Sequence, residues 1–207
     1  MRGRTGARGA LDVGSGYGFA TRALRRLGYG VVSVNPGAYE NAVFAEMNGA
    51  PPLPILFEDY RPDRAFGIVH MSQVLEHMLE PRAAMRKVAD LLAPGGVVAC
   101  AVPNFGSAFV RVLGTRDNAC LWVPEHVNHF SASGLRRLMA DAGLEVMAVA
   151  QVSRVPYDAL SRRLRLAGPV AALADMLVRV GQVPVCHLMN LAGMGAQLNV
   201  YARKPAG

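Results

Sequence analysis

Residues 10–19, ALDVGSGYGF, constrain this chain more than any other stretch. A short apolar run leads into Asp12, and glycines then recur at Gly14, Gly16 and Gly18 before helix-forming residues begin at Ala20. That order predicts a strand, a tight turn and a helix. Glycine enters positive-φ backbone without strain and lets a ligand approach the main chain with no Cβ in the way. The dinucleotide fingerprint G-x-G-x-x-G places its third glycine one position later, which disfavours a nucleotide-dependent oxidoreductase. An acid two residues before the first glycine suits a cationic or hydroxyl-rich ligand better than a pyrophosphate.

The rest of the chain reads as alternating buried strands and amphipathic helices. Apolar positions at Ala20, Ala23, Leu24 and Leu27 recur at helical spacing and Gly28 stops the run; residues 31–34 then form a β-branched second strand. A helix is expected over 39–47, a third strand at Ile55, Leu56 and Phe57 after PPLP, and a fourth over 66–71. Ala84, Met85, Val88, Leu91 and Leu92 make an apolar stripe on a helix that Pro94, Gly95 and Gly96 end, and residues 97–102 are a fifth, continuous strand. Ser131 or Ser133 caps a helix running to Ala142, Gly143 stops it, and residues 144–152 are a sixth strand; residues 196–205 supply the last. Between these two lie residues 153–195, longer than a hairpin needs. They read as helices near 157–166 and 170–180 followed by an apolar stretch to Met194, interrupted for membrane-crossing purposes by Pro184, His187 and glycines. This insertion is a packed helical cap, a substrate-covering lid or a peripheral membrane contact.

Composition bounds the function. A chain of 207 residues, 52% hydrophobic, suits a single α/β domain over 1–207. Its net charge of +7 comes from scattered arginines with no stripe of aromatics among them, which argues against a nucleic-acid partner. Cys100, Cys120 and Cys186 show no C-x-x-C spacing, so neither a disulfide framework nor a metal site is expected. Those thiols fit a reducing cytoplasm, and the opening MRGRTGARGA lacks the apolar run of a secretory signal. Only nine residues precede the first strand, which leaves little chain ahead of it to cover a ligand from that side.

The glycine segment resembles the first motif of the class I S-adenosylmethionine-dependent methyltransferases. The later order of strand, V-L-E-H, amphipathic helix, L-x-P-G-G and a strand ending V-P-N resembles the subgroup related to the ubiquinone-biosynthesis O-methyltransferases. The similarity extends over roughly the first 150 residues, the scale of one domain. It implies a Rossmann-like, doubly wound, seven-stranded sheet in the order 3-2-1-4-5-7-6 with the last strand antiparallel. It also implies S-adenosylmethionine as cofactor, held around Asp12, Gly14, Ser15, Gly16, Tyr17 and Gly18, with Asp59 near the adenine and Ser72 and Gln73 by the methionine end.

Where such enzymes usually carry Asp or Glu to accept both ribose hydroxyls, this chain has Asn35 followed by Pro36. Asn35 either contacts the ribose or merely turns the chain with Pro36 and Gly37; in the first case an aspartate there would be expected to tighten binding. Relatives also carry F-D-x-V where Gly67 stands here. No N-P-P-Y tetrapeptide or Pro-Cys pair is present, so a small-molecule or lipid-linked acceptor is favoured, methylated at a hydroxyl. His126 and His129, in PEHVNHF, are the candidate catalytic bases, with Glu125 or His77 behind them; otherwise they are loop or capping residues. Asn35 and Gly67 keep open a degenerate, noncatalytic binding module of the same fold.

Overall fold

The computed structural model describes residues 8–114, 122–153 and 164–206. At its centre β1 (Gly9–Val13), buried along its whole length, pairs in parallel with β2 (Gly30–Val34) on one side and β3 (Phe66–Ser72) on the other. β3 pairs in parallel with β4 (Leu92–Pro103), and β6 (Gln197–Arg203) runs antiparallel between β4 and β5 (Glu145–Val152). Among the described residues the sheet therefore has six strands, ordered β2-β1-β3-β4-β6-β5. Helices α1 (Phe19–Arg26), α2 (Ala38–Asn48) and α3 (Pro81–Leu91) follow β1, β2 and β3 in the chain, which is the alternation that builds parallel α/β sheets. α4 (Ala108–Leu113) and α5 (Ala132–Asp141) follow β4, and α5 packs on β5, β6 and α3. The core is a continuous apolar cluster in which Val69 and Met71 of β3, Val98 and Val102 of β4, and Leu198 and Val200 of β6 meet Met85 and Val88 of α3 and Leu135 and Met139 of α5.

The seventh strand is not formed. The predicted strand at Ile55, Leu56 and Phe57 is replaced by one parallel bridge between Val34 and Leu53 and a 3-10 turn at Phe57–Asp59. Leu53 exchanges two bonds with the β2 end, Leu53 N to Ser33 O at 2.9 Å and Asn35 N to Leu53 O at 3.0 Å. Pro52 and Pro54 on either side have no N–H to continue the ladder, and the Ile55 N–H turns back onto Leu53 O at 2.9 Å. The proline spacing that marked this segment as a connection thus also ends its pairing.

Two other segments differ from expectation. β4 begins at Leu92, so the P-G-G run opens a strand rather than closing a helix: Gly95 N donates to Lys204 O at 3.0 Å and Lys204 N to Gly96 O at 2.9 Å. In the insertion, the helix expected at 157–166 lies mostly outside the described residues, while the second continues through Gly181 and Pro184 as a single 24-residue α6 (Gly168–Leu191). It is long and apolar enough, by length and composition, to cross a membrane, with 11% of its most apolar stretch buried. The expectation that Pro184 and the glycines interrupt it is not met. An interior proline deletes one helical bond and costs about 3 kcal/mol.

Gly96 is held to glycine by packing. A Cβ there would lie 2.8 Å from the Ala93 carbonyl oxygen and 2.9 Å from that of Phe66, both backbone atoms that cannot swing aside. Gly96→Ala should destabilise the fold by about 1–3 kcal/mol, as overpacking does. The change would be read as a lowered urea midpoint at unchanged m-value.

Candidate functional site

The glycine turn is set by what lies beneath it. Asp12, 1% exposed, accepts from the Thr21 hydroxyl of α1 at 2.6 Å and from His70 Nδ1 of β3 at 2.8 Å. The single hydroxyl hydrogen of Thr21 goes to the carboxylate, which only accepts, so the 2.7 Å contact between Thr21 and Ser33 of β2 has Ser33 as donor. Above this network Gly14 N and Ser15 N both donate to Val34 O, at 2.9 and 3.2 Å, and Gly18 N donates to Ser15 O at 2.8 Å. Gly14, Gly16 and Gly18 have φ of 61°, 49° and 84°, all in the region glycine tolerates.

A cavity of about 500 Å³ opens at the carboxyl ends of β1, β2 and β3, the place where open α/β sheets bind ligands. Gly14 and Gly16 form one wall; Asn35, Pro36 and Gly37 another, with Glu40 of α2; Ser72, Gln73 and Val74 a third, with His77 beyond them. A Cβ on Gly16 would meet nothing within 4 Å, whereas one on Gly14 would run into the Val74 side chain. Gln73 holds a non-glycine φ of 56°, its N–H tied to Ala101 O at 2.9 Å. An enforced positive φ beside a cavity is a feature of ligand-binding turns.

Of the residues singled out from sequence, Gly14, Gly16, Asn35, Pro36, Ser72 and Gln73 meet in this one cavity. Asp12, Ser15, Tyr17 and Gly18 do not line it: both Asp12 oxygens are engaged, Tyr17 faces outward against Phe19 and Tyr39, and a Cβ on Gly18 would strike Phe44 and Asn48 of α2. Asp59 is also outside. Its neighbour Glu58 lines the cavity instead, because the segment forms a 3-10 turn, held by the Lys87 ammonium donating to Phe57 O at 2.6 Å, rather than a strand with alternating faces.

The histidines arrange differently from the sequence reading. His129 stacks on Phe105 with ring centroids 5.7 Å apart and lines a separate cavity with Arg82 and Arg137. His77 faces the main cavity, and His126 sits behind it, 6% exposed, ring edge to ring face at 4.8 Å. His77 Nδ1 lies 2.8 Å from the Glu125 carbonyl oxygen, which can only accept, so Nδ1 carries a hydrogen, and in the neutral ring Nε2 keeps a lone pair. The loop bearing His126 is pinned to the V-L-E-H turn by the Glu76 carbonyl, which accepts from Val127 N and Asn128 N at 3.0 Å each.

Glu76, which sequence reasoning quoted in V-L-E-H without assigning a role, completes this group. Its side chain is fully buried, and among the described residues no other residue gives either carboxyl oxygen a hydrogen bond. Burial pushes its pKa up, with its own backbone N–H and His77 pulling partway back. Burial chiefly, and the Glu76 charge in addition, push the Cys100 thiol to about 12, leaving it inert. Glu76, His77 and His126 each bring a ligand atom within 4.8 Å of the others, near enough for one cation. The signal available in sequence was the pairing of an acid with a histidine directly after a strand.

A carboxyl whose folded pKa is raised favours the folded state while protonated, and stability falls as pH rises from the ordinary value near 4.5 through the raised one. Glu76→Gln should remove that loss. The wild-type melting temperature should fall relative to the variant's as pH increases through this window, measured by calorimetry at matched ionic strength.

Residues 6–149 match the profile of a family described as "Methyltransferase domain". A "Ubiquinone biosynthesis O-methyltransferase" of Paramagnetospirillum magneticum is 28% identical over 164 residues, covering 72% of this chain and 64% of that protein, so the chain spans somewhat less than two thirds of that relative's length. In fold, the chain is similar to an S-adenosylmethionine dependent methyltransferase from Mesorhizobium loti, with a TM-score of 0.64, 15% identity, and coverage of 99% and 94% of the two chains. It is also similar to the [4+2]-cyclase SpnF, at a TM-score of 0.62 and 22% identity, covering 98% of this chain and 76% of that one.

Proposed function

The chain belongs to the methyltransferase-domain family, and on that premise we propose that it uses S-adenosylmethionine to methylate a hydroxyl oxygen of a small-molecule or lipid-linked acceptor. The observation that carries the reading is the convergence of the glycine turn, Asn35, Gln73 and His77 on one cavity at the strand ends. The cleared space over Gly16 fits a ligand lying against the main chain. Bound S-adenosylmethionine supplies a methyl group on a positively charged sulfur, ready for in-line transfer.

The protein's own part is to hold the partners in line and to take the acceptor's proton. Positioning on this scale is worth effective concentrations on the order of 10⁵ M or more. His77 is the base: the Glu125 carbonyl holds its Nδ1–H, and the proton leaving the hydroxyl goes to Nε2. His126 packs behind that ring and Glu76 lies beside both, so the positive charge gained by His77 develops next to a carboxyl. This reassigns the proton from His126 and His129, the sequence candidates. The relative's name, an O-methyltransferase, supports an oxygen acceptor. The outward apolar stripe of α6, with Leu173, Leu177, Val180 and Leu188 all more than half exposed, supports peripheral contact with a membrane that would present a lipid-linked one.

A noncatalytic module is the second reading, favoured by an Asn35 amide committed to protein partners. Titration with S-adenosylhomocysteine and with NAD, followed by turnover on a panel of phenolic and aliphatic hydroxyl compounds, separates the possibilities. The expected result is binding of the first ligand only, with methyl transfer to oxygen; binding without transfer to any panel member supports the module. Gly16→Leu should abolish S-adenosylhomocysteine binding while the chain still folds, at a backbone cost of roughly 1–2 kcal/mol. His77→Ala should lower turnover by about 10²–10⁴ at unchanged cofactor affinity, with His129→Ala retaining it. Full turnover in the His77 variant would remove the base assignment.

A further inference from the structure

We propose that Glu40, rather than residue 35, is the carboxylate that accepts hydrogen bonds from the ribose hydroxyls of the cofactor. The inference rests on the reading that the main cavity takes S-adenosylmethionine, and concerns which residue of this chain replaces the acid missing at Asn35.

Asn35 is already committed. Its Nδ2 donates to Asn41 Oδ1 at 2.9 Å and more weakly to Gly37 O at 3.4 Å, its Oδ1 accepts from Gly16 N at 3.4 Å, and its main-chain oxygen accepts from Asn41 Nδ2 at 2.9 Å. Both amide hydrogens are used, leaving at most one lone pair for a ligand. An aspartate would fare no better. It would set a carboxylate against Asn41 Oδ1, and rotating the Asn41 amide to relieve that contact would break its bond to the residue 35 carbonyl. Asn35→Asp, which would tighten binding if residue 35 met the ribose, is therefore not expected to do so.

Glu40 lies in the first turn of α2 and lines the same cavity. Its position is recorded by Gly37. A Cβ on Gly37 would collide with Glu40 Oε2, 3.1 Å from Glu40 Cδ, and would sit 3.3 Å from Asn35 Nδ2. The Glu40 carboxylate thus bends over the glycine and stands beside the Asn35 amide. Gly37 has an ordinary extended backbone, φ −73°, so room for this side chain, not conformation, is the reason for glycine. No hydrogen bond or ion pair within the described residues occupies the carboxylate. Two acceptor oxygens match the two donors of a vicinal diol, and the helix N-terminus favours the negative charge there.

The test is calorimetric titration of the full chain with S-adenosylhomocysteine and with its 2′-deoxy counterpart, for wild type, Glu40→Gln, Gly37→Ala and Asn35→Asp, with melting temperatures as the folding control. Glu40→Gln should weaken S-adenosylhomocysteine binding about tenfold or more, as loss of a charged hydrogen-bond partner does, and change 2′-deoxy binding much less. Gly37→Ala, which displaces the side chain without removing its charge, should weaken it in the same sense. Asn35→Asp should not tighten it. Equal affinity of wild type and Glu40→Gln, an equal loss for both ligands, or a tightening in Asn35→Asp that survives Glu40→Gln would each overturn the proposal. If wild type binds S-adenosylhomocysteine and only these variant effects fail, Glu40 alone is refuted; if wild type binds neither ligand, the reading of the cavity falls with it.

Discussion

The buried carboxylate of Asp12 is the interaction on which the rest depends. A buried acid in an apolar strand survives only with its oxygens satisfied, and the two satisfying groups come from different elements, Thr21 on α1 and His70 on β3. Ser33 adds β2 through Thr21. One side chain thus fixes the helix after the turn and both neighbouring strands relative to β1, and the backbone of the glycine turn is stretched between points that cannot move. The role first inferred for Asp12, beside a ligand, becomes one of holding the turn on which a ligand would rest.

A second constraint assembles the polar group at the far wall. The main-chain carbonyl of Glu76 collects two N–H groups from the loop that carries His126, and Asn128 adds a side-chain bond to Met78 O at 2.6 Å. These contacts bring together residues about fifty positions apart and place one histidine in the cavity and another behind it. Among the described residues no other residue gives the buried Glu76 carboxyl a hydrogen bond, a cost of the kind native structures concentrate where chemistry or binding recovers it. Gln73, strained at the end of β3, stands on the same rim.

α6 presents the opposite situation, an element whose composition exceeds what the described fold buries. Only Ala174 and Cys186 of its residues are buried, while apolar side chains recur at helical spacing on its exposed side. Near its C-terminal end Asn190 accepts from Ser153 at the end of β5, whose hydroxyl also accepts from Ala196 N.

The sequence alone determined the parts that depend on local chemistry. Glycines at alternate positions after an acid specified the turn, β-branched and apolar runs specified β1 to β4, and Ser131 or Ser133 marked the start of α5, where the Ser131 hydroxyl accepts from Gly134 N at 3.2 Å. Tertiary structure decided whatever required distant residues to meet. Whether Ile55 to Phe57 became a strand depended on prolines facing the β2 edge; whether P-G-G closed a helix or opened β4 depended on Lys204 arriving to pair with it. The identity of the cavity-facing histidine depended on a loop docking onto Glu76, and the fate of the Asn35 amide on Asn41, six residues away on the next helix. Periodicity and turn chemistry act between neighbours in the chain, so they are written in order; a hydrogen bond between residues far apart in the chain has no local signature, and only folding supplies it.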